Sequence, residues 1–450
     1  MILKTRLTWR ELLFIGTMLF GLFFGAGNLI FPIYLGQQAG GHVWAAIGGL
    51  LISGIGLPLL GVTGMGLTRS TGVFDLASKV NRPFAYAFTV LLYLTLGPFS
   101  ALPRLATTSF QIGVAPFVPT GLQTGVLAGF SGVFFLVAWL LARHPGKLMT
   151  YIGKWLTPFF LILLAIIMGA ALLHPLGSIG GVSHGEYALH PVLNGFTEGY
   201  NTLDALAALA FGVVVIDSIR DLGVTDSSHI ARYTIKAGAI SMSLMAVIYT
   251  LLALIGTMSL GHFKLAANGG ITLAQIANYY FGIWGNLLLA LLVIIACLKT
   301  AIGLISAFGD TLSVLFPRFS YAAVTAFAAI LPCLFANVGL TKLIAYSNPI
   351  LLFLYPLAIV LILLAVLSPL LGTSRWLFGL TVLLTLLPAF GSAASGLPSS
   401  WQHTGFFQAV IQANAHLPLA TGGFSWVVPA LVGALLGWGI GKWRDPRPTD

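Results

Sequence analysis

Long apolar runs alternate with short polar or glycine-rich stretches along the whole chain. The runs cover roughly residues 10–36, 43–66, 84–113, 121–142, 150–173, 192–217, 231–257, 283–308, 319–337, 340–367, 375–392 and 424–441. Each is close to the ~20 residues a helix needs to cross a bilayer. In lipid a spanning segment must satisfy its own backbone hydrogen bonds, so each run is predicted to be a helix. The alternating ten-residue segments of a transmembrane β-barrel are not seen. The expectation is an all-α integral membrane protein: one membrane domain, residues 1–450, with about 12 transmembrane helices.

Composition agrees. Of 450 residues 58% are hydrophobic and 7% charged, against roughly 25% charged in a soluble domain. That excludes a soluble enzyme, a disordered chain and a conventional nucleic-acid binder. The net charge of +10 is mostly an orientation signal. Seventeen of the 21 Lys and Arg, from Lys4 and Arg6 to Arg444 and Arg447, fall on one side of an alternating topology. Lys264 and Lys342 fall on the other, and Arg104 and Lys299 lie within runs. This bias predicts cytoplasmic N- and C-termini. The lipid bilayer is then the main partner; no nucleic acid and no obligate protein partner are expected. The first run is too long for a signal peptide and reads as an uncleaved helix. Cys297 and Cys333 lie in apolar runs and imply no disulfide framework. His174, His184, His190, His262, His403 and His416 lie in the long outer connections, at spacings that match no metal-ligand pattern.

Two runs are interrupted. The first carries Phe23-Phe24-Gly25-Ala26-Gly27-Asn28 in mid-membrane. Such a stretch predicts two half-helices, with free N–H groups on one side of the break and free C=O groups on the other. The N–H end attracts a carboxylate and the C=O end a cation. The sixth run carries Thr197-Glu198-Gly199-Tyr200-Asn201-Thr202-Leu203-Asp204. Intramembrane acids are costly and face a cavity or a partner, which singles out Asp204. The third run is predicted to kink at Gly97-Pro98 and Pro103. Its Arg104 is placed toward the outer side, where it can pair with Glu198 as a gate or snorkel to the surface. In the eighth run the Thr300 hydroxyl and the Cys297 carbonyl make half of a hard-cation site. Lys299 beside them can pair with an acid or replace a metal cation.

Runs 1–5 (residues 9–173) and 6–10 (192–367) have similar lengths, and each set opens with an interrupted helix. Five is odd, so the second set enters from the opposite side, the pattern of an inverted repeat with the site at its interface. Residues 375–441 add two helices.

Residues 20–40, FGLFFGAGNLIFPIYLGQQAG, closely resemble the bacterial branched-chain amino acid:cation symporters (the LIVCS, or BrnQ-type, family). So do Gly97-Pro98 to Pro103-Arg104, His144 to Leu148, Gly199 to Gly212 and Ala296-Cys297 to Ala301. The shorter Gly-x-Gly-Asn pattern is similar to that of the neurotransmitter:sodium symporters, which share a LeuT-type fold of five plus five helices. The resemblance implies import of leucine, isoleucine and valine at a bacterial inner (cytoplasmic) membrane, driven by Na⁺ or by H⁺. No organic cofactor and no enzyme activity are expected. It also implies carboxylate contacts at the amides of Ala26 and Gly27 beside Gly25. One Na⁺ is expected near the Phe23 carbonyl, Asn28 and Thr202. A second is expected near the carbonyls of Gly21, Phe24 and Cys297 with the Thr300 hydroxyl. The wider superfamily often has two hydroxyls there; here position 301 is Ala. With both helix-end dipoles present, a zwitterion fits between runs 1, 3, 6 and 8. Its ammonium is expected at broken-helix carbonyls, including Asn201, and at Asp204. Phe24, Tyr93, Phe99 and Tyr200 are the expected apolar wall.

Overall fold

The structure, a computed structural model, describes residues 6–444. Lys4 and Arg447 of the orientation argument lie outside the described residues. Among these residues there is helix and no strand. The first run divides into α1 (Trp9–Phe23) and α2 (Ala26–Ala39), and the second into α3 (Val43–Leu51) and α4 (Leu57–Leu67). A short α5 (Val73–Ser78) leads to α6 (Arg82–Leu94) and, past a kink, α7 (Ala101–Gly113). Then come α8 (Gln123–Ala142) and α9 (Thr157–Leu173). The sixth run is α10 (Pro191–Asn201) plus α11 (Asp204–Asp221), followed by α12 (Ser227–Ser259), α13 (Gly269–Phe281) and α14 (Ile283–Leu315). The remainder is α15 (Tyr321–Ala336), α16 (Leu340–Leu371), α17 (Arg375–Ser395), α18 (Ser399–Gln402), α19 (Gly405–Ala415) and α20 (Val427–Arg444). By length and composition, nine helical stretches among the described residues are able to cross a membrane.

Local sequence explains many of these boundaries. Helices α1, α6, α12, α15 and α17 each start after a capping side chain: Thr8, Asn81, Asp226, Ser320 and Ser374. Each oxygen accepts a backbone N–H that the helix cannot satisfy itself. The kink between α6 and α7 falls at Gly97, whose backbone leaves helical angles (φ −81°, ψ −116°) just before Pro98. Pro98 and Pro103 donate no N–H there.

Helix α13 is a departure from the expected long loop at 258–282. Asn268 caps it by accepting the Ile271 N–H at 3.0 Å. Leu273, Ile276 and Ala277 then form a buried stripe at helical spacing. Glycine and amide residues around that stripe disguise it in the hydropathy pattern. Residues 393–423, also expected as loop, contain α18 and α19.

Two close helix contacts frame the centre. Helix α2 lies against α12, where a Cβ on Gly36 would fall 2.0 Å from the Ala253 carbonyl oxygen. Helix α10 lies against α3, where a Cβ on Gly195 would fall 2.0 Å from the Ala46 carbonyl oxygen. In lipid, where apolar surface gains little from being covered, small residues that let backbones approach are a main source of helix association. Helix α14 packs against α1, α7, α8, α11 and α15 and closes the other side.

Candidate functional site

The two breaks face one another across one cavity. In the first, Phe24 and Gly25 leave the helix: Gly25 is extended (φ −96°, ψ −166°), and α2 restarts at Ala26. The Gly25 N–H donates to the Phe23 carbonyl at 2.8 Å and to Asn28 Oδ1 at 3.0 Å. In the second break, Leu203 adopts left-handed angles (φ 66°, ψ 9°) between α10 and α11. The Thr202 hydroxyl donates to the Gly199 carbonyl at 2.7 Å.

A side-chain lock joins the breaks. Asn28 Nδ2 donates to Asp204 Oδ2 at 2.8 Å and to the Tyr249 hydroxyl of α12. The Tyr249 hydroxyl donates to the same Asp204 oxygen at 2.9 Å. All three side chains are buried, Asp204 to 1% exposure. No Lys, Arg or His among the described residues lies within ion-pair distance of Asp204. Buried carboxylates are ordinarily paired or coordinate a cation.

A cavity of about 50 Å³ lies between the breaks. Gly25, Ala26, Gly27, Asn28, Thr202, Asp204 and Thr300 line it together with Phe23 and Arg104. Its apolar wall is Leu96, Ala101, Leu105, Leu203, Ala207, Phe211 and Leu304. Above it opens a vestibule of about 820 Å³ between α2, α7 and α13, lined by Gly27, Phe31, Arg104, Thr108, Asn268 and Gln275 among others. Arg104, Gly27 and Thr108 line both spaces. The Arg104 guanidinium lies 5.0 Å from the Phe31 ring centre and donates to the Asn201 carbonyl at 3.3 Å.

Several expected residues stand elsewhere. The Phe24 ring packs on Phe20, Phe160 and Tyr249 behind the break. Tyr93 is buried against Phe308, with its hydroxyl donating to the Ala210 carbonyl at 3.0 Å. Phe99 sits on the outside of the kink against Phe335, 39% exposed. Tyr200 stacks on Tyr355 at 4.5 Å and, with Asn201, lines a separate cavity of about 260 Å³. Phe24, Phe99 and Tyr200 flank a break or a kink, where the helical register shifts, and Tyr93, within α6, turns to α11 and α14 instead.

The cation candidates divide likewise. Asn28, Thr202, Phe23 and Thr300 line the cavity; Cys297 is buried without lining it. Gly21 faces α9, where an added Cβ would fall 2.2 Å from the Thr157 hydroxyl. The Lys299 ammonium nitrogen lies 3.8 Å from the Phe160 ring centre and 5.5 Å from that of Phe20. It has no hydrogen-bond partner, and the arrangement is of cation–π type. Arg104 and Glu198 form no ion pair. Glu198 instead accepts from Asn201 Nδ2 at 3.2 Å and from the Tyr187 hydroxyl at 3.4 Å. Burial first, and the Glu198 charge second, push that hydroxyl's pKa up.

Tyr249 and the wall residues of α7, α11 and α14 are the members that sequence reasoning misses. Tyr249 carried one signal, a hydroxyl-bearing aromatic in the middle of the seventh apolar run.

Comparison with known proteins gives consistent results. The profile of a family described as branched-chain amino acid transport protein matches residues 8–443. A branched-chain amino acid permease BrnQ of Lactobacillus delbrueckii subsp. lactis is 46% identical over 435 residues, covering 96% of each chain. The BrnQ permease of Bacillus subtilis is 39% identical over 435 residues, 96% of this chain and 97% of that one. Among solved structures, Mhp1 in a closed conformation with bromovinylhydantoin bound aligns with a TM-score of 0.60. That protein, a nucleobase-cation-symport-1 family transporter, is 15% identical, with 96% of this chain and 92% of that chain covered. At this identity the likeness shows the fold, the LeuT-like arrangement, and nothing further.

Proposed function

The chain belongs to the branched-chain amino acid transport protein family, a family of transport proteins and not of enzymes, and from that premise we propose that it imports leucine, isoleucine and valine by cation symport with alternating access. The observation that carries this reading is the meeting of four half-helix ends at one apolar-walled cavity. The N-terminus of α2 offers the amides of Ala26 and Gly27 to a carboxylate. The C-terminal carbonyls of α10 suit an ammonium, although in this structure Arg104 and the Tyr355 hydroxyl donate to those of Asn201 and Tyr200. Arg104 therefore has two tasks: it closes the space between vestibule and cavity, and it releases a carbonyl when it moves. The wall of Leu96, Leu105, Ala207, Phe211 and Leu304 suits an aliphatic side chain. Choosing among branched chains by size is worth only about 1–3 kcal/mol per methylene.

A cavity of about 50 Å³ holds an ion or a few waters, not an amino acid. Entry of the substrate requires α2 or α7 to shift at Arg104. In this reading the chain crosses a bacterial cytoplasmic membrane about 12 times with both termini inside. Residues 9–173 and 192–367 are its inverted repeats, and 375–441 two added helices. Na⁺ is the coupling ion, with Thr300 a ligand of a second ion.

The test is uptake of labelled leucine into proteoliposomes with a sodium gradient, with a proton gradient and with neither. Sodium-driven accumulation is expected. No gradient-driven uptake of any branched-chain amino acid would remove the proposal. Loss of sodium dependence in Thr300→Ala would support the second ion; unchanged dependence would remove Thr300.

A further inference from the structure

Asp204 is the acid of the cavity between the breaks, and its surroundings are those of a cation ligand more than of a helix cap. As the first residue of α11 it gains from the positive end of the helix dipole. That alone would leave its carboxylate facing its own backbone amides. Instead Oδ2 is fixed by two donors from other helices, Asn28 at 2.8 Å and Tyr249 at 2.9 Å. No cationic side chain among the described residues balances its charge. The cavity that it lines also presents Thr202, Thr300 and the Phe23–Asn28 break, all oxygen-bearing groups of the kind that hard cations choose.

We propose that Asp204 is the charged ligand of a small monovalent-cation site at the crossing of the two breaks, and that Tyr249 is the positioning residue that aims its carboxylate. The proposal rests on the symport reading and deepens it. A cation at a break lined by carbonyls and hydroxyls alone must find its negative charge in the substrate's carboxylate. Here the negative charge is built into the chain, within a cavity large enough for an ion. Sodium therefore binds before, and without, the amino acid. The ion then draws Asp204, Asn28 and the Phe23 carbonyl together, so that α1–α2 and α10–α11 share one ligand.

Tyr249 acts through Asp204. Its hydroxyl, buried on α12 against the Phe24 ring, both accepts from Asn28 and donates to Asp204. A phenylalanine there would keep the packing and release the carboxylate.

The experiment uses the purified full-length protein in detergent, with sodium chloride as probe and choline chloride as control. Sodium alone, with no amino acid, is expected to raise the unfolding temperature and to protect against unfolding in a saturable way. Asp204→Asn is expected to abolish that shift. Tyr249→Phe is expected to raise the sodium concentration for half-saturation roughly 10- to 100-fold, the scale of one hydrogen bond to a charged group. A sodium effect that needs leucine, or that persists in Asp204→Asn, overturns the inference. So does a Tyr249→Phe protein whose sodium dependence matches the parent's, which needs no Asp204 variant to fold. Parent protein that accumulates leucine on a sodium gradient while failing these tests leaves the symport reading standing. Parent protein that shows no gradient-driven uptake removes that reading instead.

Discussion

The two helix breaks meet at one cavity but are made by opposite means. The first is made by composition. Gly25 is extended, a conformation open to any residue, and its N–H finds Asn28 Oδ1 three residues on. Nothing there is strained. The second is made by force. Leu203, a γ-branched residue with no local reason to leave the helix, is held at φ 66°. That conformation costs an L-residue roughly 1–2 kcal/mol and persists only where surroundings over-determine it. The surroundings are visible: Leu203 is buried, Thr202 caps Gly199, Arg104 and Tyr355 hold the next two carbonyls, and Asn28 and Tyr249 hold Asp204. The first break is closed by its own residues. The second depends on four partners, so it is the one that a moving helix can alter.

The largest expected effect separates shape from strain at the first break. A Cβ on Gly25 would lie 3.2 Å from a Leu105 methyl and 3.3 Å from the Thr300 hydroxyl. Gly25→Val adopts the observed angles without penalty but fills the cavity. Leucine uptake should fall roughly 100-fold, about 2.7 kcal/mol, while the purified protein melts normally. Near-normal uptake would show that the cavity is not on the substrate's path.

Next comes the link between the breaks. Asn28→Ala removes the Gly25 partner and one donor to a buried carboxylate. It should destabilise by about 2 kcal/mol, whereas Thr202→Val, which removes the hydroxyl's bond and leaves the Gly199 carbonyl the Thr202 N–H, should cost about 1 kcal/mol. Equal losses in chemical denaturation would mean that the breaks are stabilised independently.

A reversal of the usual order tests the strain at Leu203. Both Leu203→Ala and Leu203→Gly lose buried side-chain volume. In a helix glycine is the worse of the two; at left-handed angles it is the better, by about 1–2 kcal/mol. A Gly variant less stable than the Ala variant would show that Leu203 is not held at positive φ.

The smallest effect concerns closure of the vestibule. Arg104→Gln should alter leucine affinity several-fold, on the order of 1 kcal/mol, through the lost Asn201 contact. Glu198→Gln should change it by less than about 0.5 kcal/mol, since no ion pair joins the two. Equal effects in uptake titrations would restore a direct gate pair.

Much of this was legible in the chain. Hydropathy marks the spanning runs, because apolar length is what a bilayer selects. The Gly25-Ala26-Gly27-Asn28 stretch announces the first break, because glycine and an amide are local causes. Asp204 stood out because a carboxylate in an apolar run needs a reason. Its partner Tyr249 did not, since it is distant by 45 residues and tyrosine is common in spans. The expected wall of Phe24, Tyr93, Phe99 and Tyr200 lies elsewhere: register beside a break or kink follows from backbone angles that residue type leaves open, and Tyr93 is drawn to the Ala210 carbonyl of a distant helix. Helix α13 was hidden because its apolar stripe covers only one face.

The sequence by itself therefore determined a helical membrane transporter of this family, where its first helix breaks, and which acid is out of place. Those features are local, set by apolar length, glycine content and the cost of charge in lipid. Only the tertiary structure decided that Leu203 is forced left-handed, that Arg104 rests on Asn201 and not on Glu198, and that Tyr249 meets Asp204. Each of these depends on groups brought together by packing from distant parts of the chain, and no local preference encodes such a meeting.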